Sequence, residues 1–66
     1  MNKEKLRGMR EAKGESRFTL AVAVGTTTGT IENLERGATE NPRVLLLKRL
    51  AEHFGVSVDD LLSDEK

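Results

Sequence analysis

Residues 17–37, RFTLAVAVGTTTGTIENLERG, constrain the fold more than any other stretch of this chain. Leu20 and Val24 stand one helical turn apart, and Ile31 and Leu34 mark a turn of a second helix, so each segment has one apolar stripe to bury. Ala21 is small enough for a close helix crossing, and Gly25 can take the positive φ that ends a helix sharply. Two short amphipathic helices joined in this way predict a helix-turn-helix, the unit whose second helix enters the DNA major groove.

The remaining residues read as three further helices, which makes residues 1–66 one all-α domain of five helices at about 3–13, 17–24, 28–36, 42–54 and 58–63. Asn2 is a good cap for the first, whose inner face is Leu6 and Met9 with Ala12 or Lys13, and Gly14 stops it. Ser16 and Thr27 precede the second and third helices, and Gly37 follows the third. Asn41 as cap with Pro42 in the first helical position predicts the start of the fourth. Val44, Leu47, Leu50, Ala51 and Phe54 share its inner face, Leu45 and Leu46 widen it, and Gly55 ends it. Ser57 caps the short last helix, where Asp59 and Asp60 suit the positive end and Val58, Leu61 and Leu62 form the apolar side.

A core of this size is worth only about 3–5 kcal/mol net. With no cysteine there is neither a disulfide framework nor thiolate chemistry, which suits a reducing cytoplasm. Met1-Asn2-Lys3-Glu4-Lys5 is charged, so neither a signal peptide nor a membrane span is expected. Eleven basic residues balance eleven acidic ones. Residues 1–36 hold seven Lys and Arg against five Glu, while residues 37–66 hold four basic and six acidic residues. The half with the predicted reading helix is thus mildly basic, which can orient the domain on DNA but gives little non-specific affinity.

Catalysis is not expected, and neither is a metal or a cofactor. His53 is the only histidine, and no cysteine accompanies it. Asp59, Asp60, Asp64 and Glu65 lack the spaced oxygen ligands and central glycine of a cation loop. Thr26, Thr27 and Thr28 form no glycine-rich phosphate cradle.

Several motifs in order give the chain a family likeness. They are Leu-x-x-Met-Arg-Glu-x-Lys-Gly at residues 6–14, Ile31-Glu32-Asn33-Leu34-Glu35-Arg36-Gly37, Asn41-Pro42-Arg43-Val44, and Leu50-Ala51-Glu52-His53-Phe54-Gly55-Val56-Ser57-Val58-Asp59-Asp60-Leu61-Leu62. Together they resemble the lambda-repressor-like, Cro-type helix-turn-helix domains (the XRE family) of bacterial and phage regulators. Residues 25–44 are especially similar to the lambdoid phage repressors. The resemblance implies a compact five-helix DNA-binding regulator, probing a palindromic operator as a repressor and acting by occupancy in a bacterial or phage-infected cytoplasm.

Opposite Ile31 and Leu34, the third helix presents Thr28, Gly29, Glu32 and Asn33, with Arg36 farther along. These positions match those that meet base edges in the phage repressors. Thr28 has only a short hydroxyl and methyl, Gly29 has no side chain, and Asn33 has the amide that can fork onto adenine. The resemblance assigns phosphate contacts to Arg17, Thr26, Thr27, Thr39, Asn41 and Arg43. Arg17 stands where the family usually has a glutamine, and Glu40 where the phage repressors tend to be basic. Arg10 and Glu35 match an ion pair that joins the first helix to the end of the third.

Glu15 replaces an apolar residue, and Phe18 and Val22 stand where the family is charged. Phe18 is expected to fold back over the gap left by Glu15; the alternative is an exposed patch of Phe18 and Val22 that meets a protein partner. Relatives pair through the last helix and the turn before it, which makes Val56, Val58 and Leu61 candidate contacts of a weak homodimer, formed in solution or only on DNA. The competing reading of the whole chain is an interaction module, an antitoxin or regulatory partner, that keeps the fold without reading sequence.

Overall fold

Asn2, Ser16 and Thr27 each begin a helix in the structure by accepting a backbone N–H with the side chain, from Lys5, Thr19 and Thr30 respectively. The structure, a computed structural model, describes residues 2–38 and 42–62. Its helices are α1 (Lys3–Ala12), α2 (Arg17–Val24), α3 (Thr28–Arg36), α4 (Val44–Phe54) and α5 (Val58–Leu62), with no strand among the described residues. Ser57 holds the Asp60 N–H at the start of α5.

The sharp turn rests on Gly25. Its φ is +76°, and after it the Thr26 N–H reaches back 2.9 Å to the Ala21 carbonyl, closing the end of α2. A side chain would be strained at that φ, and its Cβ would lie 2.5 Å from Nη1 of Arg49. Gly37 and Gly55 end α3 and α4 in the same left-handed conformation.

Leu20, Ala21 and Val24 of α2 and Ile31 and Leu34 of α3 all enter the core, where they meet Leu6, Leu47, Leu50, Ala51 and Leu61. Burial of each large aliphatic side chain contributes about 1.5–3 kcal/mol. α2 packs on α3 and α4, α1 braces α3, and α5 closes on α4. The Asn2 N–H donates to the Leu61 carbonyl at 3.0 Å, which ties the start of the chain to the last helix.

Three expectations require correction. α4 starts at Val44, because Arg43 keeps an extended ψ of 149° and supplies no side-chain cap; Pro42 lies before the helix. Val44 is 73% exposed and Leu45 59% exposed, so neither joins the inner face of α4. In α1 the inner stripe is completed by the buried Arg10, whereas Ala12 and Lys13 face solvent.

Candidate nucleic-acid interface

The back of α3 is held by a carboxylate shared between two arginines. Glu35, with only 2% of its side chain exposed, accepts from Arg10 Nε at 2.6 Å and Arg10 Nη2 at 3.2 Å. It also accepts from Arg17 Nε at 3.1 Å. Arg10 spends Nη1 on the Glu15 carbonyl at 2.7 Å, so this one side chain links α1, the α1–α2 turn and α3. Burial pushes the Glu35 carboxyl up, but the hydrogen bonds and charges of Arg10 and Arg17 outweigh it and hold the group below the usual carboxylate range. The hydrogen bond that Arg10 donates to Glu35 in turn raises Arg10 above its ordinary value, against the opposing effect of burial. α3 therefore has little freedom to rotate about its axis.

Its front is uncovered. Gly29, Glu32 and Arg36 are exposed, and Thr28 and Asn33 are half-buried. Arg36 Nη2 donates to Asn33 Oδ1 at 2.8 Å, which brings together two of the residues assigned to base edges. Thr27 spends its hydroxyl oxygen on the Thr30 N–H and lies 2.9 Å from the Thr30 hydroxyl. Arg17 is half-buried, and its Nε is occupied by Glu35. Thr39, Glu40 and Asn41 lie outside the described residues.

Beside this face runs an open groove between the turn, α3 and the start of α4. Thr26, Thr30, Asn33, Arg43 and Arg49 line its polar parts. It joins three residues that sequence reasoning placed separately, Thr26, Asn33 and Arg43, and adds two that it missed. Thr30 gives no sequence signal beyond its class. Arg49 is exposed and donates to the Val24 carbonyl at 3.4 Å, where a cation complements the negative end of α2. A basic residue in the second turn of α4 carries no local signal for that contact.

The family model for the helix-turn-helix domain matches residues 4–63. The chain belongs to the helix-turn-helix family. Among solved structures, this helix-turn-helix domain is similar to the DNA complex of SinR, described as the master regulator for biofilm formation. The TM-score is 0.87 and the identity 28%, over 96% of this chain and 100% of that one. The N-terminal DNA-binding domain of SinR from Bacillus subtilis matches with a TM-score of 0.87 and 27% identity, over 96% of this chain and 91% of the other. Its solution structure matches at 0.84 and 28%, over 98% and 94%. These likenesses agree with the lambda-repressor-like, XRE-type fold expected from the motifs.

Elsewhere in this helix-turn-helix domain the departures from the family pattern resolve differently from expectation. Phe18 does not fold back: it is 67% exposed, and Val22 beside it is 64% exposed. The place beside Glu15 is taken by His53, whose Nε2 lies 2.8 Å from Oε2 and 3.0 Å from Oε1 of Glu15. Lys13 Nζ donates to the His53 carbonyl at 3.2 Å and lies 5.9 Å from the Phe54 ring centre. Leu61 is 0% exposed and offers no surface to a second subunit, which removes it from the dimer candidates; Val56 and Val58 are half-buried against the core. No helix among the described residues is long and apolar enough to cross a membrane.

Proposed function

We propose that this chain is a sequence-specific DNA-binding regulator that represses by occupying a palindromic operator, with α3 laid in the major groove. The observation that carries this reading is the uncovered front of α3, Gly29, Glu32 and Arg36, on a helix whose back is locked by Ile31, Leu34 and Glu35. The likeness to SinR, solved in complex with DNA, supports it. Thr28, Gly29, Glu32, Asn33 and Arg36 face base edges in this proposal. Arg17, Thr26, Thr27 and Arg43, with Thr39 and Asn41 from the segment outside the described residues, meet phosphates. Glu35 holds the Nε of Arg17, and the half-exposed guanidinium has further N–H donors for that purpose.

The regulator works without catalysis, in the cytoplasm of a bacterium or phage-infected cell, as a single domain over residues 1–66. Two copies pair weakly, in solution or on the duplex, through Val56 and Val58, so that two α3 helices reach grooves roughly 34 Å apart.

A second reading is favoured by the exposed Phe18 and Val22 and by the zero net charge: a module that binds a protein partner through the outer face of α2. A salt titration on random and palindromic duplexes separates the two. A steep negative slope of log K against log salt with a preferred site supports the regulator. No binding to any duplex at low salt refutes it and leaves the protein-binding module.

A further inference from the structure

The Arg36–Asn33 hydrogen bond gives the reading face a chemical sign. We propose that Asn33 and Arg36 act as one unit that reads guanine, with Arg36 setting the direction of the Asn33 amide. This rests on the placement of α3 in the major groove proposed above. A guanidinium only donates, so the Asn33 atom 2.8 Å from Arg36 Nη2 is the amide oxygen and its NH2 points to the other side. The two residues are one helical turn apart on α3, and Arg36 is exposed beside the half-buried Asn33.

A lone asparagine reads adenine with a fork: the oxygen accepts from N6 while the NH2 donates to N7. Here a guanidinium already holds one lone pair of the oxygen, and an adenine N6 amino group taking the other lone pair would be set beside that positive charge, amino hydrogens against guanidinium. Guanine presents two acceptors in the major groove, N7 and O6. The outward amide NH2 and the remaining N–H groups of Arg36 match that pair. On the front of α3 itself the other residues offer those acceptors no charged donor, since Thr28 has a hydroxyl, Gly29 no side chain and Glu32 only acceptor oxygens. Arg36 is therefore a specificity-determining residue in two ways, by its own donors and by placing a positive charge beside the adenine-reading oxygen of Asn33.

The test is selection of bound duplexes from a random pool by the full chain, by Asn33→Ala and by Arg36→Met, followed by affinity measurements on single-base variants of the selected site. Circular dichroism checks that each variant keeps its helices. The base pair at which Asn33→Ala relaxes preference identifies the contact. The wild type should require guanine there, losing about 5- to 150-fold in affinity when adenine replaces it. Substitution of 7-deazaguanine should also weaken binding at that base. Arg36→Met should lose the guanine preference and move toward adenine as the positive charge beside the amide oxygen is removed. A wild-type preference for adenine, an undiminished guanine preference in Arg36→Met, or no relaxed position in Asn33→Ala would each overturn the inference while leaving DNA binding intact. Absence of binding to any duplex at low salt overturns the DNA-binding reading and this inference with it.

Discussion

Behind α3, Ile31 and Leu34 are closed into the core and Glu35 is shared by arginines from two other helices, whereas in front Gly29 has no side chain and Thr28 only a short one. The back is specified by cost: a charge or amide left unsatisfied there is expensive, so each partner demands the others. The front is solvated, and changes there cost the fold little. The contrast teaches that the pose of a reading helix and its message are separate properties. The first is enforced by burial, and the second is free to differ between relatives of the same fold.

The largest effect that could break this comparison is expected from Glu35→Ala. It leaves Arg10 buried without its carboxylate and should cost about 3–5 kcal/mol in urea unfolding, comparable to the whole stability of a domain this small. The double variant Arg10→Met/Glu35→Leu should recover most of that loss, because no charge remains stranded. Acid sharpens the same point. The Glu35 carboxyl is lowered in the folded chain, so its stabilising contribution is fully present above the free glutamate value of about 4.3 and is lost as pH falls through the lowered folded value. The wild type should thus lose stability on acidification below that value more steeply than the double variant. Parallel curves would show that the shared carboxylate contributes nothing.

Next in size is Gly25→Ala, expected to cost about 1–2 kcal/mol by thermal unfolding because φ is +76°. In an Arg49→Ala background the crowding is gone but the backbone strain stays, so a loss should persist there. A neutral Gly25→Ala in both backgrounds would remove the turn from the pose-setting side. Arg43→Ala tests the front: it should weaken all duplexes alike and reduce the salt slope by about one unit, with base preference unchanged. Equal weakening with an unchanged slope would contradict a phosphate contact. Smallest is Phe18→Ser, expected within about 0.5 kcal/mol of wild type because the ring is already in water. A large loss would mean that the ring is part of the packing.

Much of the fold was legible in local signals. Asn2, Ser16, Thr27 and Ser57 announce helix starts because a short oxygen side chain satisfies N–H groups only a few residues away. The start of α4 was misread from Asn41 and Pro42, since the extended Arg43 carries the chain past them before the helix begins. Of the candidate site, the front of α3 follows from its apolar period. The pairing of Asn33 with Arg36 does not, because an exposed rotamer choice leaves no mark in periodicity.

Glu15 and His53 show the same limit. Each looked unexplained alone, one as a gap and the other as a solitary histidine, and they answer one another across 38 positions. Sequence by itself determined the helices, the left-handed turn and the apolar stripes, since capping, φ and periodicity act over a few neighbouring residues. Only the tertiary structure decided that Arg17 shares Glu35 with Arg10, that Arg49 sits at the end of α2 and that Phe18 stays in solvent. Those outcomes depend on which surfaces meet after the helices pack, and the energies that choose among them belong to contacts between residues far apart in the chain.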